Sequence, residues 1–143
     1  LNDVNLKAAF FFSKEVYKIM LTQKEGGKII NMSSQRSRAS DGRHTIYDAT
    51  KAGLEAITRS FAVAGGPHNI SANAILPGYV LTPMTRHNLD DEGWVAHLYS
   101  RVPMERLIDM QEIANAALFL ASSMSNGMTG QDIIMDGGRL AHE

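Results

Sequence analysis

The chain has 143 residues, with 14 Lys and Arg against 15 Asp and Glu, a formal net charge of −1 and no cysteine. That length supports one domain with a real core. The balanced charge lacks the basic footprint of a nucleic-acid binder, and the missing cysteines exclude disulfides, thiolate catalysis and thiolate-held metals. No apolar run approaches the roughly 20 residues of a membrane span, so the expectation is a cytoplasmic protein with neither nucleic acid nor membrane as partner. The chain opens on Leu1 and enters a helical pattern almost at once, which suggests a piece of a longer polypeptide.

Residues 3–23 read as a helix, with Phe12, Val16, Ile19 and Met20 at i, i+4, i+7 and i+8 on one core stripe. Gly26-Gly27 stops it, and Lys28–Ser33 reads as a buried strand opening into a polar loop over 35–46. A second helix is expected over 46–64. Ile57, Phe61 and Ala64 lie on its core side, and Ala49, Ala52, Gly53 and Ala56 keep another side small enough for close packing. Gly65-Gly66-Pro67 ends it, and Ile70–Leu76 is a second strand closed by Pro77-Gly78.

Thr82-Pro83 has the form of a helix start, and Asp90-Asp91-Glu92 stands ahead of an amphipathic patch. Asp109 and Glu112 have capping-box spacing before a late helix, and Gln131–Met135 is a third strand. Met84, Met104, Met110, Met124 and Met128 read as core and lid filler. Strands alternating with helices imply right-handed crossovers and a parallel sheet, whose ligands sit at the carboxyl ends of the strands.

Ser34, Tyr47 and the loop Pro77–Thr82 all fall at that edge. Tyr47 and Lys51 are four apart and share a face of the second helix, with Ser34 thirteen residues upstream of Tyr47. An ammonium about 5 Å from a phenolate, at an effective dielectric of about 20, favours it by roughly 3 kcal/mol. The pair therefore suits a general acid/base, and Ser34 suits a hydroxyl that holds the substrate oxygen. By itself Tyr-x-x-x-Lys also arises by chance. His44, three residues before Tyr47, is a candidate substrate contact. The five histidines have no metal-ligand spacing, and Gly-x-Ser-x-Gly is absent, so neither a metal centre nor a serine hydrolase is expected.

Taken together, Asp3-Val4-Asn5-Leu6, Gly27–Ser34, Tyr47-x-x-x-Lys51, Ile70–Thr82, Thr129-Gly130-Gln131 and Asp136-Gly137-Gly138 resemble the short-chain dehydrogenase/reductase family, in order and in spacing, over nearly the whole chain. The resemblance implies the C-terminal half of a Rossmann-like, doubly wound parallel α/β sheet, with residues 1–143 as the catalytic, nicotinamide-side part of one domain. It implies NAD or NADP as cofactor and Asn5, Ser34, Tyr47 and Lys51 as catalytic residues. In that reading Tyr47 transfers the proton, Lys51 supports it and holds the nicotinamide ribose, Ser34 orients the substrate, and Asn5 holds a water behind Lys51. Pro77, Gly78, Val80 and Thr82 would meet the nicotinamide end of the cofactor.

In the family, a Gly-rich phosphate loop and four strands precede the active-site Asn, and this sequence has no such loop before Asn5. The expectation is thus an NAD(P)-dependent oxidoreductase interconverting a secondary alcohol and a ketone, on a sugar or polyol, with this chain alone inactive. The alternative is an inactive fragment that serves only as an assembly module. A homodimer or homotetramer is implied through the two long helices. The segment from Met84 to Arg106 is expected to cover the substrate.

Overall fold

The structure, a computed structural model, describes residues 1–142, apart from the Met84 side chain. A π-helical turn, Asp3–Ala8, leads into helix α1 (Ala9–Met20), strand β1 (Gly27–Met32), a 3-10 turn (Gln35–Ser37) and helix α2 (Thr45–Gly65). Strands β2 (Ile70–Pro77) and β3 (Val80–Leu81) follow, then helices α3 (Pro83–Arg86) and α4 (Glu92–Tyr99). Strand β4 (Ile108–Asp109), helix α5 (Met110–Ala121) and strand β5 (Asp132–Met135) complete the order.

The main sheet is parallel, with strand order β1-β2-β5 and the registers Met32↔Ile75 and Pro77↔Met135. The expected α/β class with a parallel sheet and flanking helices is what the chain adopts. β2 is the central strand, and its Ala72, Ala74, Ile75 and Leu76 are fully buried. Such a strand reads as a continuous apolar run because both of its faces are covered. The buried polar residue within it, Asn73, is satisfied: its Nδ2 donates to Met128 O at 3.0 Å and its Oδ1 accepts from Gln131 N at 3.0 Å. That side chain fixes the turn that feeds β5.

Local chemistry sets the helix ends. Thr82 caps α3 and Asp109 caps α5, each in a capping box completed by Thr85 and Glu112 respectively, and the Asp91 side chain accepts from Gly93 N and Trp94 N to start α4. Gly26 lies at φ +73°, and a Cβ there would meet Asn69 O at 2.0 Å, so the chain can turn from α1 into β1 only with glycine at this point. The small side of α2 is used as expected, since a Cβ on Gly53 would meet Leu6 Cδ1 at 2.9 Å.

Several expectations need correction. The first helix is not α-helical throughout, because its opening turn is a π-helix. The stripe on α1 is not all core: Tyr17 and Met20 pack with Phe61 and Ile29, whereas Phe12 and Ile19 are 74% and 60% exposed. Periodicity found the apolar face, but α2 covers only one flank of it. Ala64 is likewise exposed, and so are Met104, Met110 and Met124, which therefore fill no core. The short parallel ladder β3–β4, with Val80↔Ile108 and Leu81↔Asp109, was not expected. Strands of two residues carry no period to read.

Candidate active site

β1 ends at Met32 and delivers Ser33 and Ser34, both buried, to the carboxyl edge of the sheet. Ser34 is the N-cap of the 3-10 turn, its hydroxyl accepting from Arg36 N at 3.2 Å. Arg36 Nε then donates to Asp48 Oδ1 at 3.0 Å. This bond ties the turn after Ser34 to the first turn of α2, which carries Tyr47. The 3-10 turn and the Arg36–Asp48 bridge thus bring Ser34 and Tyr47 to the same edge.

Lys51 lies one turn further along α2, half-buried. Its ammonium donates to Met32 O at 2.8 Å and stands 5.7 Å from the centroid of the Tyr47 ring. Burial holds the Lys51 pKa below the ordinary lysine value. Ser33 Oγ donates to Lys51 O at 3.0 Å, a second tie between β1 and α2. A third is buried deeper, where Asn31 Nδ2 donates to Thr58 Oγ1 at 2.9 Å.

Asn5 sits on the π-helical turn and points its amide at α2. Its Nδ2 donates to Thr50 Oγ1 at 3.5 Å, and that hydroxyl donates to Tyr47 O at 2.8 Å. Asn5 therefore reaches the site through Thr50. His44 precedes α2 with its ring nitrogen Nδ1 3.1 Å from Asp41 Oδ1 and 2.9 Å from Arg36 Nη2. The ring is engaged in that polar cluster at the rim.

Across the edge, Pro77 ends β2 and Gly78 presses against the segment after β5. A Cβ on Gly78 would meet Asp136 Cα at 2.6 Å, so only glycine fits. Val80 lies on β3, and its carbonyl accepts from Thr85 Oγ1 at 2.7 Å. Thr82 Oγ1 accepts from Thr85 N at 3.3 Å and, since the Thr85 hydroxyl proton goes to Val80 O, donates to Thr85 Oγ1 at 3.1 Å, which leaves it one further lone pair to accept with. Tyr79 meets Trp94 of α4 edge to face, with centroids 6.2 Å apart. The loop after β2 and the α4 segment are thereby packed together.

Sequence reading missed four positioning residues: Arg36, Asp48, Ser33 and Thr50. Arg36 and Asp48 are oppositely charged and flank the loop, a weak local signal. The bonds of Ser33 and Thr50 depend on the approach of β1 and the π-helical turn to α2 and leave no trace in spacing.

The arrangement provides a phenol, an ammonium with two protons beyond its bond to Met32, and a buried hydroxyl at one edge of a parallel sheet. Such a set can move a proton to or from a substrate oxygen and hold a diol. A family model described as enoyl-(acyl carrier protein) reductase matches residues 1–139. The chain is 37% identical over 139 residues to the L-xylulose reductase of Mus musculus, covering 97% of this chain and 57% of that protein. It is 39% identical over 137 residues to the 5-keto-D-gluconate 5-reductase of Escherichia coli strain K12, covering 96% of this chain and 54% of that one. A crystal structure of a gluconate 5-dehydrogenase from Burkholderia cenocepacia J2315, in complex with NADP and tartrate, superimposes with a TM-score of 0.93 at 32% identity, covering 100% of this chain and 56% of the other. The chain thus spans little more than half the length of these relatives.

Proposed function

The chain belongs to the short-chain dehydrogenase/reductase family, and from that premise we propose that it is the catalytic, nicotinamide-side part of an NAD(P)-dependent enzyme interconverting a secondary alcohol and a ketone on a sugar or polyol. The observation that carries this reading is the Lys51 ammonium held on the Met32 carbonyl beside the Tyr47 ring. The names of the xylulose and ketogluconate reductases support the substrate class.

The donor set fits the cofactor. Lys51 keeps two N–H groups for the vicinal hydroxyls of a nicotinamide ribose, and the Thr82 hydroxyl oxygen keeps one lone pair to accept from a carboxamide N–H. Pro77, Gly78 and Val80 shape the loop on that side. When bound, the nicotinamide supplies or accepts the hydride.

The protein's own residues handle the proton and the substrate. In the reducing direction Tyr47 Oη gives its proton to the carbonyl oxygen, and in the oxidising direction it takes the proton from the alcohol. Lys51 stabilises the phenolate electrostatically. Ser34 Oγ donates to the substrate oxygen, where charge develops. Asn5 fixes the first turn of α2 through Thr50 and holds a water behind Lys51, by which the proton is replaced. His44 contacts the substrate at the rim.

In this reading the remainder of the Rossmann-like domain, with the phosphate-binding loop, corresponds to the part of the relatives' length that this chain does not span, and without it the chain does not turn over substrate. The position of β1 at an edge of the described sheet supports this, since further strands would pair there. The exposed Phe12 and Ile19 of α1 support a homodimer or homotetramer built through the long helices. Steady-state kinetics test the reading. In the complete enzyme, Tyr47→Phe lowers kcat by about 10²–10⁴-fold, the span of acid–base catalysis, with cofactor binding unchanged. Retained turnover refutes the role given to Tyr47.

A further inference from the structure

Beside the proposed catalytic edge lies a cavity of about 390 Å³, large enough for a small ligand by the usual range of roughly 300–1,000 Å³. Gln35 and Tyr79 line it together with Arg36, Arg43, Arg101 and Arg139. Gln35 follows Ser34 directly, and Arg36 is the residue whose backbone N–H reaches the Ser34 hydroxyl. The cavity therefore adjoins the turn that follows Ser34, although neither Ser34 nor Tyr47 lines it.

Its charge is lopsided. Four guanidiniums face a single lining carboxylate, Asp41. Arg36 is already satisfied, since it binds Asp41 Oδ1 at 2.6 Å and Asp48 Oδ1 at 3.0 Å, and this pairing keeps Asp41 ionised. Among the described residues, Arg43, Arg101 and Arg139 take part in no ion pair. These cations come from three parts of the chain: the loop before α2, the turn after α4 and the turn after β5. The last is held firmly, with Asp136 Oδ1 accepting from Gly138 N at 2.9 Å and Oδ2 from Leu140 N at 2.7 Å on either side of Arg139. Arg43 and Arg101 are exposed and Arg139 is half-buried, and guanidiniums lining one concavity give it a positive potential that favours an anion. Arginine's planar fork suits a carboxylate or phosphate.

Resting on the proposed alcohol–ketone chemistry, we infer that the substrate is an anionic polyol, whose carboxylate or phosphate group is held by Arg43, Arg101 and Arg139 while its secondary alcohol lies at Ser34 and Tyr47. The neutral polyol alone would leave these cations unmatched.

The test compares kcat/KM of the complete enzyme for D-gluconate, D-glucitol 6-phosphate and neutral D-glucitol. The preferred anion exceeds glucitol by about 10- to 100-fold, the value of one or two charged hydrogen bonds. Which anion it is distinguishes carboxylate from phosphate. Arg101→Gln and Arg139→Gln each lower the anion-to-neutral ratio by about tenfold, whereas Arg59→Gln on α2, which does not line the cavity, leaves the ratio unchanged. A ratio near one in the wild type overturns the inference, as does a ratio insensitive to both cavity variants or an effect confined to the KM of the cofactor. Failure of the dehydrogenase reading looks different: none of the three compounds is turned over with NAD or NADP. In that event calorimetric titration of the two anions and glucitol still decides. Binding of an anion that the Arg101→Gln/Arg139→Gln variant loses supports the cavity's role, and equal or absent binding of all three overturns it.

Discussion

Replacing Thr58 with Val keeps the shape of a fully buried side chain while removing one hydroxyl. That hydroxyl donates to Leu54 O at 2.8 Å and accepts from Asn31 Nδ2 at 2.9 Å. Asn31 lies on β1 and is itself buried. The substitution therefore strands an amide donor between strand and helix, which costs about 1–3 kcal/mol. With a urea m-value of about 2 kcal/mol/M for a protein of this size, the midpoint falls by roughly 0.5–1.5 M. Asn31→Val removes the donor itself and leaves Thr58 its bond to Leu54, so the double variant should lose less than the sum of the singles, by about 1 kcal/mol or more. Urea unfolding of the four proteins gives the coupling directly. Additivity within about 0.5 kcal/mol would refute the idea that this bond ties β1 to α2. Activity supplies a second reading, because β1 carries Ser34 and α2 carries Tyr47, and a slip of about 1 Å between reacting groups lowers turnover by roughly 100-fold.

Gly78→Ala drives a Cβ to within 2.6 Å of Asp136 Cα, so the loop after β2 must separate from the segment after β5. The expected result is a raised cofactor KM with the fold retained by circular dichroism, and an unchanged KM refutes the placement of that loop. Acid acts on the start of α5. Hydrogen bonds from Arg106, and next the Asp109 amide, hold Glu112 down at about 2 against an ordinary 4.5. A depressed carboxylate contributes stability above its unfolded value and loses it as pH falls through the folded one. Glu112→Gln should therefore lower Tm at neutral pH, and the difference from the wild type should shrink from pH 4.5 towards about 2. The opposite sign applies at Asp132, whose pKa burial and the neighbouring Glu55 raise. Its favourable contribution is complete below the ordinary aspartate value and fades as pH rises through the folded one, so Asp132→Asn should narrow the fall in Tm as pH rises from the ordinary aspartate value of 3.8.

The caps at Thr82 and Asp109 were legible in the sequence because their signals are local: Pro83 directly follows Thr82, and Glu112 stands three residues after Asp109. The strand at 70–77 was legible because an apolar run met Pro-Gly. The Tyr47–Lys51 pair showed itself through helical spacing, and the comparisons support the family that the ordered motifs resembled. What stayed hidden depends on distance along the chain. Arg36 on Asp48, Asn31 on Thr58 and Asn5 on Thr50 join elements that only folding brings together. Phe12 and Ile19 show a further gap, since a period tells which way a face points but not what covers it.

The π-helical turn Asp3–Ala8 has a bearing on descent as well as on packing. Its i→i+5 bonds accommodate one residue more than an α-helical turn would close over. Losing a single residue there would rotate everything on its N-terminal side by about 100° relative to α1 and swing Asn5 away from Thr50. No side chain at the site need change for that contact to disappear. Among homologous sequences, a one-residue gap in this stretch would thus carry as much meaning as a substitution of the asparagine itself.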